Sequence, residues 1–296
     1  MRKLRILIDM DDTIENLAEA WCAWLNKRYG LNVNHKDIDS WGAITDLYCE
    51  WGLSAEDVFY PLYHEPEFWD TVTPKQDAIE YIKMLKDDGH QIFIVTNSYA
   101  SVKVDKFEKV LFRYFPYLDY TNLIITHDKS FLKADVIIDD NLNYVLGSCA
   151  KLKLLYNASH NKDFDDPFNE GIYRVNNWAE IYLRINSWMN HDNEILHFIE
   201  KMNNFDSPKD LFTNGFCYWF TEILQTWATF YAPHPANATK VYDPIANHFG
   251  VKVGYNVYDI TGDVTDQYDW VNWYEYKKQD ELESARITRD CISMED

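Results

Sequence analysis

A doubly wound parallel α/β sheet is the fold this sequence predicts, with a small helical cap inserted after the first strand and a smaller C-terminal α+β module. Three observations carry that expectation. Short β-rich apolar runs alternate with helical patterns through the first part of the chain, as in an open sheet with helices on both faces. The runs end in carboxylates and a hydroxyl residue. A long aromatic-rich stretch between the first two runs contains no convincing strand.

The runs at 4–8, 92–95, 123–126, 136–138 and 152–156 read as strands buried on both faces. Between them, Leu17, Trp21, Trp24, Leu25 and Arg28 keep helical spacing. Ala78, Ile79, Ile82 and Leu85 do so again, with Gly89 placed to end that helix. The stretch 15–73 reads as the cap, which in a doubly wound fold sits over the carboxyl ends of the strands, where ligands bind. Residues 178–191 read as a closing helix and 203–209 as a linker, so the expected boundary lies near 190–207, with domains at 1–190 and 207–296. Beyond it, 211–227 reads as one helix, and 251–253 and 257–260 as strands joined by a turn at 254–256.

Composition narrows the function. The 296 residues are 47% hydrophobic, which is ample for packed cores and excludes a disordered or low-complexity chain. With 28 Lys and Arg against 48 Asp and Glu, the net charge of −20 repels polyanions, so no long nucleic acid is expected as a partner. A single nucleotide held by a metal ion and a few lysines remains compatible with that field. The five cysteines are odd in number and never spaced CxxC, which favours a reducing compartment over a disulfide framework or a structural zinc site. The start MRKLRILIDMDD puts charge inside what would be a signal peptide's apolar core, and no apolar run approaches the ~18–20 residues of a membrane span. A soluble, cytoplasmic protein with no membrane partner is the expectation. Oligomeric state is not legible.

The strongest local signal is ILIDMDDTI. Asp9 and Asp11 stand at i and i+2 where a buried strand runs out, followed by Asp12 and Thr13. Carboxylates there are costly to bury unless a metal or hydrogen bonds compensate them, and three Asp in four residues make an oxygen site for a hard cation such as Mg²⁺. A turn or helix cap would use Asp as well. A second pair, Asp139 and Asp140, ends VIIDDN. A third run, IFIVTNS, ends in Thr96, Asn97 and Ser98, whose hydroxyl, amide and N–H groups could bind phosphate oxygens. Lys129 follows LIITHD, ten residues before Asp139.

The set DMDDT, VTNS, a lysine and IDD resembles the four motifs of haloacid-dehalogenase-like phosphohydrolases. The order DMDDTIEN, helical cap, FWDTVTPKQDAIEYIKML, GHQIFIVTNS, THDKSFLKADVIIDDN, LLYNASHN and RVNNWAEI is similar, over about 1–186, to the cytosolic-type-C 5′-nucleotidases, which include the 5′(3′)-deoxyribonucleotidases. That resemblance implies a Rossmann-like sheet and Mg²⁺-dependent hydrolysis of a phosphomonoester, a (deoxy)nucleoside monophosphate being favoured. Another small phosphorylated metabolite is the alternative. It implies Asp9 as the nucleophile and Asp11 as general acid and base. Thr96, Asn97 and Lys129 would bind phosphate, with Lys103 as a second lysine and Lys133 a competitor for the place of Lys129. Asp9, the Asp11 carbonyl and Asp140 would hold the metal, with Asp139 supporting. The sequence departs from the family in carrying Asp12 where many members have Gly, and Asn97 where the deoxyribonucleotidases often have a hydroxyl residue.

The second part holds a different constellation. Cys217 lies near the start of the helix NGFCYWFTEIL, His248 begins HFGVKVG, and Asp259 follows in VYDITG. A helix-borne Cys, a strand-borne His and then an acid is an order similar to that of papain-like and transglutaminase-like cysteine enzymes. A hydrolase or acyltransferase site is one expectation and a partner-binding module another; buried Cys and turn His or Asp residues also occur without function. Asp263, Asp266 and Asp269 form an acidic run that does not complete a calcium loop and reads as a solvated face.

Overall fold

A computed structural model describes residues 3–40, 43–98, 103–164, 171–205, 208–213 and 215–293. The chain divides into two compact units, Met1–Arg184 and Ile185–Asp296.

The first unit is built on a six-stranded, wholly parallel sheet. Its strands are β1 (Arg5–Ile8), β2 (Gln91–Thr96), β3 (Leu123–Ile125), β4 (Val136–Asp139), β5 (Leu152–Tyr156) and β6 (Ile172–Val175), in the order β3-β2-β1-β4-β5-β6. The order reverses about β1, the first in sequence and central in space, so the carboxyl ends of β2, β1 and β4 adjoin. Leu7, Val95 and Ile137 from these three strands pack in one buried cluster, which is why their sequences are apolar on both faces. Five strands match the sequence reading. β6 is the addition: an edge strand with two half-buried residues at its centre, too polar to stand out as a buried run.

The stretch after β1 is mostly helical in its described residues and, as expected, contributes no strand to the sheet. It contains α1 (Leu17–Tyr29), α2 (Ala43–Cys49) and α3 (Ala55–His64), with one 3₁₀ turn (His35–Asp37) between α1 and α2 and another (Pro66–Asp70) after α3. Gly30, in the left-handed region at φ 69°, ends α1. Ser54 and Asp57 form a reciprocal capping box at the start of α3. The insertion begins and ends at one place: the Asn16 N–H donates to the Thr73 carbonyl at 2.9 Å, and the Lys75 N–H to the Ile14 carbonyl at 2.8 Å. Among the described residues the remaining α-helices of the unit are α4 (Ala78–Asp87), α5 (Lys103–Lys106), α6 (Phe112–Tyr114) and α7 (Leu142–Gly147), a π-helical turn (Phe107–Leu111) joining α5 to α6. Gly89, at φ 88°, turns the chain from α4 into β2.

α8 (Trp178–Asn203) runs on past residue 191, where the closing helix was expected to stop, and the division between units falls inside it, ahead of the 190–207 stretch. Ile181, Ile185, Ile195 and Ile199 keep a buried stripe along it that carries the helix past 191 to Asn203, where the expected linker begins.

The second unit carries a five-stranded antiparallel sheet: β7 (Ala238–Asp243), β8 (His248–Val253), β9 (Asn256–Asp259), β10 (Gly262–Asp263) and β11 (Val271–Asn272), in the order β10-β9-β8-β7-β11. Its helices are α9 (Pro208–Thr213), α10 (Cys217–Thr226), α11 (Trp273–Gln279) and α12 (Glu281–Ser293). The single helix expected over 211–227 is therefore two, because Gly215, at φ 99°, breaks the chain between α9 and α10. The buried face of α10, Phe220 and Leu224, packs on Val251, Val253 and Tyr258 of β8 and β9. Among the described residues, no helix is long and apolar enough to cross a membrane.

Candidate active site

Asp9 follows β1, Thr96 ends β2 and Asp139 ends β4, so the topology itself gathers three of the expected residues at one edge of the sheet. The Asp9 N–H donates to the Ile138 carbonyl at 2.8 Å and extends the β1–β4 ladder to the point where the carboxylates begin.

Two charged clusters result. In the first, the buried Lys129 ammonium donates to Asp9 Oδ1 and, at 2.6 Å, to Asp139 Oδ2. Carboxylate oxygens of Asp9, Asp139 and Asp140 lie within 4.8 Å of one another, all buried. Asp139 also accepts from the Asn141 N–H at 2.9 Å; Asp140 accepts from the Thr13 hydroxyl at 3.1 Å and lies 2.8 Å from His160 Nε2. Burial pushes the Asp9 carboxyl well above its ordinary range, against the pull of Lys129, and Asp139 and Asp140 push it further. Burial acts against the Lys129 ammonium too, but Asp9 and Asp139 hold it above its ordinary range. The cluster is thus short of positive charge.

In the second cluster, Lys106 Nζ lies 2.6 and 2.7 Å from the two oxygens of Asp11 and 3.1 Å from the Thr96 hydroxyl. Lys106 ends α5, one turn after Lys103. The side chain of Lys103 lies outside the described residues. Sequence reasoning missed Lys106; its signal was an i, i+3 spacing from Lys103 on the helix after β2. It missed His160 as well, although NASHN directly follows β5.

Asp12 corrects the expectation of three aspartates around one cation. It sits in the left-handed region at φ 53°, and both its oxygens accept from the Ala18 N–H, at 3.2 Å each, in the first turn of α1. The carboxylate caps a helix from a distance. Burial raises it to about 7, with Lys75 pulling the other way. The carboxylate of Asp11 likewise faces Lys106 rather than joining Asp9, Asp139 and Asp140. Asn97 places its amide 3.3 Å from His127 Nδ1.

A cavity of about 610 Å³ opens over both clusters. Asp9, Asp11, Asn97, Lys106, Lys129, Asp139 and Asp140 line its charged side; Trp21, Phe59, Leu62, Tyr63 and Trp69 line another part, from α1, α3 and the turn after it. The rings of Phe59 and Tyr63 stack at 5.8 Å and 7°. Of the other aromatics in the insertion, Phe68 is fully buried, Trp24 donates to Glu65 at 2.7 Å and Trp51 is exposed; Trp41 lies outside the described residues.

A buried carboxylate trio with a bridging lysine thus lies beside an acid–lysine–hydroxyl cluster, and one cavity lined by residues of the helical insertion opens over both. Residues 2–189 match the family described as 5′ nucleotidase, deoxy (pyrimidine), cytosolic type C protein. The chain belongs to this family. It is a phosphoric monoester hydrolase. A 5′(3′)-deoxyribonucleotidase of Bacillus subtilis is similar at 30% identity over 61% of this chain and 97% of its own. Another from Clostridium acetobutylicum is similar at 28% over 61% and 93%. Among solved structures, a HAD family hydrolase from Deinococcus radiodurans R1 is similar at 16% identity and a TM-score of 0.45, over 61% of this chain and 94% of that one. The family match leaves residues 190–296 outside it.

Proposed function

We propose that the first unit hydrolyses (deoxy)nucleoside monophosphates with Mg²⁺, in the cytoplasm. The observation that carries this reading is the cavity itself: charged residues fit for a phosphate on one side, and apolar and aromatic side chains fit for a nucleoside on another. The free cysteines suit a reducing compartment.

The buried oxygens of Asp9, Asp139 and Asp140 fit a hard divalent cation, because their mutual repulsion and burial leave a charge deficit that Lys129 alone does not fill. Asp9, Asp140 and the Asp11 carbonyl would hold Mg²⁺, with Asp139 supporting; when bound, it would neutralise charge on the phosphoryl oxygens. In the reaction, an Asp9 oxygen attacks phosphorus, the bond to the ester oxygen breaks, and Asp11 gives the leaving alkoxide its proton. Asp11 then takes a proton from water as that water attacks the aspartyl phosphate, which frees Asp9 and inorganic phosphate. Thr96, the Asn97 backbone, Lys129 and Lys106 hold the transferring oxygens. Lys106 takes here the place that the sequence reading gave to Lys103.

The test is phosphate release from a panel of 5′- and 3′-nucleotides and other phosphomonoesters with Mg²⁺. Wild type should turn over nucleotides preferentially, and Asp9→Asn should lose about 10³-fold or more. Release from sugar phosphates alone would point to another metabolite, and an unaffected Asp9→Asn enzyme would remove Asp9 from its role.

A further inference from the structure

We propose that the second unit is a separate catalyst, a cysteine acyl-hydrolase in which Cys217 attacks an amide or ester carbonyl, His248 moves the protons and Asp259 orients His248. The three residues come from different elements: Cys217 opens α10, His248 opens β8 and Asp259 closes β9. Packing of α10 on the sheet brings them together. His248 Nε2 lies 2.9 Å from Asp259 Oδ2. The other oxygen of Asp259 accepts from the Thr261 N–H and hydroxyl, each at 2.6 Å, so the carboxylate is fixed. The Cys217 thiol interacts with the same imidazole and, like Asp259, favours its charged form, and Cys217 packs in one cluster with Phe249, the residue after His248. Tyr268 lies against the ring, centroid to centroid 4.9 Å, and Trp270 stands behind at 6.0 Å.

A purely structural role explains this poorly. Cys217 is only 7% exposed and could have been a small apolar residue; instead it faces a histidine–carboxylate pair whose side chains are 12% and 4% exposed. Burying such a pair gains little over apolar packing of equal volume, so its presence against a thiol asks for a chemical reason. Burial opposes the imidazolium, but the bonds to Asp259 and Cys217 raise His248 to about 9, which leaves it protonated at neutral pH. Burial meanwhile drives the thiols of Cys22 and Cys291 up to about 11, the state of an inert cysteine. Phe216, at the N-cap of α10, supplies no side-chain cap, and the N–H groups of a helix's first turn are suited to an oxyanion.

The step balances within these groups and water. The sulfur forms a bond to the carbonyl carbon; the bond to the amine or alkoxide breaks, and that leaving group takes the proton from His248. Water then attacks the thioester and gives one proton to His248, the carbon–sulfur bond breaks, the acid is released, and sulfur and imidazole return to their starting state.

The full chain would be mixed with p-nitrophenyl acetate at pH 7, with p-nitrophenolate followed by absorbance and acetylated cysteines mapped by peptide mass spectrometry. Cys217 should acetylate at least about tenfold faster than the exposed Cys49 and Cys149, and a burst should give way to steady turnover. His248→Gln should bring Cys217 to the rate of Cys49 or below, while phosphate release by the first unit stays unchanged and an unchanged far-ultraviolet circular dichroism spectrum reports a folded chain. Because the within-protein comparison needs no variant, a misfolded mutant cannot obscure it. A wild-type Cys217 no faster than Cys49, an unchanged rate in His248→Gln, or a burst without turnover would each overturn the proposal.

Discussion

The Lys106 ammonium lies within 2.7 Å of both oxygens of Asp11, and reaches the Thr96 hydroxyl at 3.1 Å. One cation therefore touches both the proton-transfer group and a phosphate-binding group of the proposed reaction. Replacing Lys106 with Met should cut kcat by about 10²–10³-fold, with Lys106→Arg intermediate, in steady-state phosphate release. A change confined to KM would mean that Lys106 binds substrate without serving the transition state.

Asp12 gives a different pattern, since its carboxylate faces α1. The left-handed backbone at φ 53° disfavours any side chain, whereas the bonds to the Ala18 N–H favour Asp. Asp12→Ala loses the cap and keeps the strain, and should cost about 1–2 kcal/mol in urea unfolding. Asp12→Gly loses the cap but relieves the strain, and should be close to neutral. The reverse order would show that the cap is not what Asp12 contributes.

Mg²⁺ should raise the melting temperature of the wild-type protein, because binding to the folded carboxylate trio is linked to stability. Asp140→Asn should abolish that rise and, by relieving repulsion at the buried trio, lose little stability in chelator. Phosphate release should vanish in EDTA and return with excess Mg²⁺. A melting temperature indifferent to the ion would leave Asp9, Asp139 and Asp140 without a metal.

In the second unit His248 titrates at about 9 when folded, above the ordinary ~6.5 of an unfolded histidine. A raised value stabilises the fold while the group is protonated in it: the contribution is complete below pH ~6.5 and is lost as pH climbs through 9. Asp259, Cys217, Asp243 and Tyr268 are the titratable groups facing the ring. Wild type should lose roughly 2 kcal/mol between pH 6.5 and 9.5 relative to His248→Gln in urea unfolding. Parallel curves for the two proteins would mean that the ion pair contributes nothing.

The central strands were legible because their apolar runs stop abruptly at Asp9, Thr96 and Asp139, and one parallel sheet edge collects such stops. β6 and β7 were not, because their patterns mix Arg, Tyr, Thr and Lys into short stretches whose partners lie elsewhere in the chain. Lys106 escaped because a helix's register decides whether Lys103 or Lys106 meets Asp11, and no local residue sets that register. Asp12 escaped for a backbone reason: one positive φ turns it away from its neighbours Asp9 and Asp11. Cys217, His248 and Asp259 were readable as types in order, while their meeting depended on how α10 packs against β8 and β9.

The hydrogen bonds that join Asn16 to Thr73 and Ile14 to Lys75 give the sheet a fixed doorway for everything between them. The cost of closing an insertion grows only slowly with its length once its ends are held together. Segments of other lengths and contours could therefore be exchanged between 16 and 73 while Asp9, Lys129 and Asp139 keep their places. Under the proposed function, selectivity and reactivity would be written in separate stretches of this chain, so that a lineage, or an engineer, could graft a new preference onto an unaltered reaction.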